Sequence, residues 1–151
     1  MEESKEFPAC FHRVTIKGMY VRDGKILMVR EAHSMSGLWE LPGGGLDFGE
    51  HIRLGFEREV EEEMGLKVSK MSTQPLYVWT HRYDKKRKLE WYYSLVLAYR
   101  MELESLDFTP TDECAEIAFF SKEELEANDM VSGQMRELTR IFDPNDFAAE
   151  F

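Results

Sequence analysis

Residues Gly44 to Leu66 read GGLDFGEHIRLGFEREVEEEMGL, a glycine-studded loop that runs into a helix. Ile52, Phe56, Val60 and Met64 recur every four positions, the spacing of one buried helical stripe, and Gly65 stands where a C-terminal cap belongs. The pattern predicts a helix over Glu50 to Met64. Glu59, Glu62 and Glu63 fall at i, i+3 and i+4, so three carboxylates share a face while Glu61 points away. Charge runs are ordinarily solvated surface. Here that reading meets two penalties: Glu59 and Glu63 repel by about 0.2–0.5 kcal/mol, and Glu62 and Glu63 oppose the negative end of the helix dipole at about 0.3–1 kcal/mol. A bound cation removes both, and oxygen donors without His or Cys suit Mg²⁺ or Mn²⁺, ions that serve chemistry at phosphorus.

The loop ahead of the helix allows close backbone approach, and the helix N-terminus behind it favours anions. It is not a P-loop, because Glu50 and His51 stand where Lys and Ser or Thr are required. Upstream, Phe11 to Val29 sets apolar residues on both sides of Asp23-Gly24, predicting two antiparallel strands joined by a type I′ turn. Downstream, Leu76 to Arg82 and Glu90 to Tyr99 read as strands around a basic tip, Lys85 to Lys88. Ala118 to Phe120 is a short strand candidate, Ser121 to Glu124 forms a capping box, and Ser132 is placed to cap a last helix through about Phe142. The expected organisation is one mixed α/β domain over 1–151, with loose ends at about 1–8 and 144–151.

With 151 residues, 43% of them hydrophobic, the chain can bury a core of about 68–70% of its unfolded surface. The net charge of −10 repels nucleic-acid backbones and anionic membranes. No run reaches the roughly 18 apolar residues of a membrane span, and the first residues are acidic rather than basic and then apolar. Cys10 and Cys114 have neither disulfide-framework nor zinc-site spacing. A reduced, cytoplasmic protein is expected.

The positions Gly44, Glu50, Arg58-Glu59-Val60, Glu62-Glu63 and Gly65-Leu66 closely resemble the Nudix box of the MutT-like Nudix hydrolases. The lead-in Leu38-Trp39-Glu40-Leu41-Pro42-Gly43-Gly44 and the stretch Phe119 to Leu125 are also similar to that family. The resemblance implies an α/β/α sandwich around a mixed β-sheet. It implies Glu59, Glu62 and Glu63, with Gly43, as the metal-binding positions, Mg²⁺ or Mn²⁺ as cofactor, and Arg58 with Glu50 holding loop and helix in register. It implies water attack on a nucleoside diphosphate linked to another moiety, with the base either a box glutamate or one of Asp112, Glu113 and Glu116. A (d)NTP pyrophosphohydrolase is the first substrate reading, and dinucleoside polyphosphates or nucleotide sugars are the alternatives. The proline of ADP-ribose pyrophosphatases is absent, since Thr80, His81 and Arg82 occupy its region, and Tyr83 falls near the tyrosine of dinucleoside polyphosphate hydrolases.

A nucleobase needs a stacking face, for which Trp39, Trp79, Tyr83, Trp91 and Phe119 are candidates, although strand aromatics are usually core. Trp39 and Tyr83, with Arg30 for phosphate, are the substrate-binding set expected here. His33, Arg82 and Lys85 to Lys88 are weaker phosphate candidates, and His51 reads as an exposed residue. The expected partner is a small-molecule nucleotide, with a homodimer allowed. A non-catalytic nucleotide-binding module could dispense with the three carboxylates, and RNA 5′-end processing sits poorly with the negative charge.

Overall fold

A computed structural model describes residues 11–84 and 91–151. In chain order it contains β1 (His12–Met19), β2 (Val21–Arg22), β3 (Lys25–Glu31), β4 (Trp39–Glu40), β5 (Gly43–Gly45), α1 (Ile52–Met64), β6 (Val68–Asp84), β7 (Trp91–Leu103), β8 (Cys114–Phe120), α2 (Lys122–Ala127) and α3 (Arg136–Ile141). Short 3₁₀ turns lie at Gly133–Met135 and Pro144–Phe147. No described helix is long and apolar enough to cross a membrane.

One sheet has the order β5-β1-β7-β6 and is mixed, because β1 runs parallel to β7 while its other pairings are antiparallel. The second is antiparallel and centred on β3, which pairs with β2, β4 and β8. Alternation along the strands feeds two cores. Leu27 and Val29 join Ile16, Phe56, Val60 and Met64, so α1 covers one face. Ile26 and Met28 join Trp39, Trp79, Leu125, Leu138 and Phe142, so α2 and α3 cover the other. The result is the expected α/β/α sandwich.

Several local expectations change. Asp23 and Gly24 do form a turn with positive φ (52° and 75°), but it joins only β2 to β3. The preceding strand β1 leaves for the other sheet, since Thr15 to Met19 are buried throughout and need strands on both flanks. The helix begins at Ile52 rather than Glu50, capped by His51, whose Nδ1 accepts the Arg53 N–H at 3.2 Å. Ser121 makes the expected capping box. Ser132 makes no cap bond: its Oγ is buried without a partner among the described residues, and the chain enters α3 through the 3₁₀ turn.

The end from 144 to 151 is docked rather than loose. Phe147 is buried against Phe142 and Tyr77, at centroid distances of 5.8 and 6.1 Å, and Arg100 donates to the Phe147 and Ala149 carbonyls. The expected loose end 1–8, Cys10 and the basic tip 85–88 lie outside the described residues.

What sets α1 against β1 is Gly18. A Cβ there would lie 2.3 Å from Phe56 Cζ and 2.6 Å from Met101 Cγ, both in fully packed surroundings. Gly18→Ala is expected to lower stability by about 1–3 kcal/mol through overpacking, read as a shifted urea midpoint at unchanged slope.

Candidate active site

The loop that closes on α1 is shaped by a backbone contact. Gly43 has φ 116°, and a Cβ on it would stand 2.2 Å from the Ile16 carbonyl oxygen, so only glycine lets β5 approach β1 this closely. Gly44 has no side chain where the Glu59 carboxylate rests, with Oε2 2.7 Å from the Cβ position. Glu50 lies against Gly55 in the same way.

Arg58 joins these parts. Its Nε and Nη2 donate to the two oxygens of Glu50 at 2.7 and 3.0 Å, and its Nη1 reaches Glu59 at 3.3 Å and Glu62 at 3.1 Å. The Asp47 N–H also donates to Glu50. The Arg58 fork, followed by that N–H, holds the Glu50 carboxyl down at about 2, and the guanidinium is pushed upward in return.

Across the loop, the buried Lys17 Nζ donates to Glu40 Oε1 at 3.2 Å, the Leu41 carbonyl at 3.1 Å and the Gly43 carbonyl at 2.8 Å. Burial works against its charge, but Glu40, Glu63 and Glu31 outweigh burial and leave its pKa raised. Glu63 accepts the Gly43 N–H at 3.3 Å. Burial, with repulsion from Glu40 and Glu59, pushes the Glu63 carboxyl up to about 8 against the pull of Lys17. Burial likewise raises Glu59, against Arg58, and raises Glu31, which also faces Glu40 and accepts a hydrogen bond from Ser36.

These groups line a cleft of about 320 Å³ together with Arg13, Thr15, Met35, Gly44, Gly45, Ser94, Glu113 and Gln134. Its floor is a polar chain: Thr15 Oγ1 and Ser94 Oγ are 2.7 Å apart, and Gln134 Nε2 donates to Ser94 Oγ at 2.9 Å.

Of the carboxylates expected to act together, Glu59 and Glu63 line the cleft, whereas Glu62 is half exposed and held by Arg58. Among the loop candidates Glu113 lines it, Glu116 is paired with Arg30 at 2.6 Å, and Asp112 is exposed outside it. The Thr111 hydroxyl ties this loop to α1 by donating to the Glu63 carbonyl at 2.6 Å.

The substrate set needs correction. Trp39 is 9% exposed with its ring edge-on to Phe120 at 4.8 Å, so it is core and offers no open stacking face. Trp79 is core as well, donating Nε1 to the Gln134 carbonyl. Phe119 packs on Tyr20, away from the cleft lining, and Arg30 is engaged by Glu116 and His33. The side chains of Tyr83 and Trp91 lie outside the described part. Met35 is the large apolar side chain lining the cleft.

Lys17, Glu40, Glu31, Arg13 and Gln134 were not expected at the site. Lys17 left a trace in the sequence as a lone charge inside the strand run Val14 to Met19, and Glu40 lies in the lead-in that resembles the family.

The NUDIX domain family model matches residues 12–142. The chain belongs to the Nudix family. It is 29% identical over 127 residues to the nucleoside triphosphatase NudI of Salmonella agona, covering 78% of this chain and 88% of that protein. A MutT-like protein of Streptomyces ambofaciens is 47% identical over 58 residues, 38% of this chain, and the match spans only 36% of that relative's length. The fold is shared with a MutT NUDIX hydrolase from Burkholderia pseudomallei, at TM-score 0.62 and 24% identity over 87% of this chain and 98% of that one. The E. coli ORF135 protein superposes at TM-score 0.65 with 18% identity, over 87% and 89% of the two chains.

Nudix hydrolases generally need a divalent metal, and the donors here suit one. Five carboxylates line the cleft against two cations, and Glu63 is a buried acid whose carboxyl burial pushes up despite Lys17. As they stand, no three acidic, His or Cys side chains among the described residues converge as a ready metal cage.

A carboxyl whose folded pKa lies above its unfolded value binds its proton more tightly when folded, so stability falls as pH rises between about 4.3 and the folded value. In EDTA at pH 8, Glu63→Gln should therefore raise Tm by about 2–4 °C, with no gain at pH 4. Adding Mg²⁺ should raise the Tm of the wild type more than that of the variant, as read by differential scanning calorimetry.

Proposed function

We propose that this Nudix protein is a metal-dependent nucleoside triphosphate pyrophosphohydrolase, converting an NTP and water to a nucleoside monophosphate and pyrophosphate. The observation that carries this reading is the pairing of Glu59 and Glu63 at one wall of the cleft with the polar floor Thr15–Ser94–Gln134. The similarity to NudI, described as a nucleoside triphosphatase, supports the same class. A cleft of about 320 Å³ lies at the low end for small-ligand sites, which favours a mononucleotide over a dinucleoside polyphosphate.

Glu59 and Glu63 would hold the divalent ion, Mg²⁺ or Mn²⁺, with Glu62 available once it leaves Arg58. When bound, that ion supplies charge neutralisation at phosphate oxygens and a more acidic water. Arg58 and Glu50 keep the loop and α1 in fixed relation, so the carboxylates need little rearrangement as charge develops. Glu113, the loop carboxylate at the cleft, accepts the proton of the attacking water as the new P–O bond forms and the anhydride P–O bond breaks. Met35 covers the base and Gln134 reads its polar edge.

A nucleotide panel run with Mg²⁺ or Mn²⁺ in ¹⁸O water tests this. The expected products are monophosphate and pyrophosphate with all label on phosphorus, whereas release of free base or label on ribose would overturn it. Glu59→Gln and Glu63→Gln should each lower kcat by about 10²–10⁴ with the fold retained, while Glu61→Gln, exposed outside the cleft, should stay within about twofold.

Gln134→Ala is expected to change the ranking of kcat/KM among the bases by about 10-fold, because it removes a placed amide from the floor. An unchanged ranking would take Gln134 out of base recognition.

A further inference from the structure

Arg13 stands at the start of β1, exposed, on the rim of the cleft. Its guanidinium lies on the backbone of Gly45: a Cβ at that position would be 2.2 Å from Nη2, 2.3 Å from Nε and 2.6 Å from Cζ. β1 and β5 pair with Thr15 opposite Gly45, which brings residue 13 over this glycine. No hydrogen bond or ion pair engages the Arg13 side chain among the described residues. That is unusual for this surface, where five carboxylates line the cleft and the chain carries a charge of −10.

The other cation of the cleft is committed, since the Lys17 ammonium spends its three donors on Glu40, Leu41 and Gly43. Arg13 thus keeps a planar fork of donors, seated on Gly45 and open toward the cleft, in the arrangement that takes two oxygens of a phosphate at once. A solvated surface arginine would need no seat. Here the absent side chain at 45 leaves room for the guanidinium at the cleft lining that Gly45 shares with Arg13.

We propose that Arg13, seated on Gly45, grips the phosphate chain of the substrate and sets the preference for polyphosphates over monophosphates. This rests on the reading of the cleft as a nucleotide site. Arg13 acts on binding, so its loss raises KM and leaves kcat near its starting value.

Inorganic triphosphate titrated into the Mg²⁺-loaded protein by calorimetry is the direct test, with steady-state kinetics on an NTP beside it. Arg13→Met should weaken triphosphate binding and raise KM by about 10- to 100-fold, with kcat within about threefold. Gly45→Ala should do the same without unfolding, because the atoms that must yield are the far end of a flexible side chain. Arg13→Lys should recover part of the loss, and Arg140→Met, on α3 and outside the cleft lining, should leave triphosphate binding and KM unchanged. Triphosphate binding equal in the wild type and Arg13→Met, or a fall in kcat at constant KM, would overturn the proposal. The functional reading is decided separately by wild-type turnover. A wild type that binds triphosphate through Arg13 yet hydrolyses no nucleotide sinks that reading alone, and NTP hydrolysis undisturbed in Arg13→Met sinks the Arg13 proposal alone.

Discussion

The Lys17 ammonium is the point on which the rest of the site turns. Removing such a charge from water costs several kcal/mol unless every donor finds a good acceptor, and Lys17 finds its three within Glu40 to Gly43. The short segment carrying Trp39 to Gly45 must therefore lie across β1. Gly43 then has to pass within contact of the Ile16 carbonyl, and its N–H faces Glu63 on the helix beyond. One buried cation thus ties a strand, a loop and a helix into a single arrangement.

On the far side of the loop, Arg58 does the opposite kind of job at the surface. It is exposed enough for solvent to screen each pair, so its value lies in geometry rather than in stability. Two parallel bonds to Glu50 fix the plane of the fork, and the remaining nitrogen restrains Glu59 and Glu62. Glu63 is buried with its proton held tightly, burial outweighing the neighbouring Lys17 ammonium. The chain accepts the cost of burying a carboxyl there, as functional sites commonly do.

The helix and its acidic face were legible because a four-residue apolar rhythm and Gly65 are local signals. The strand destinations were not. Nothing in Phe11 to Met19 says that β1 abandons its hairpin neighbour for β7, since the partner lies about eighty positions away. Glu59 and Glu63 follow from helical spacing, but the capture of Glu62 by Arg58 depends on rotamers that spacing does not specify. Trp39 illustrates the reverse error: an aromatic beside the motif looked available, while the packing of Phe120 and α2 had already claimed it. Lys17 was visible as a charge in an apolar strand, whereas Arg13 and Gln134 enter the cleft only through tertiary structure.

The bond between Thr15 and Ser94 spans 79 residues, and the strand pairing that carries it is parallel. Loop closure over that distance must precede any reward from the contact, which places it late among folding events and makes the topology intrinsically slow. The cleft floor is thus absent from every partly folded species in which only local hairpins and α1 have formed. A nascent chain that has already made its acidic helix still lacks a place to receive a nucleotide until β7 has emerged and docked. The cleft lining, drawn from β1, β5, α1 and β7, is therefore complete only when segments far apart in the chain have met.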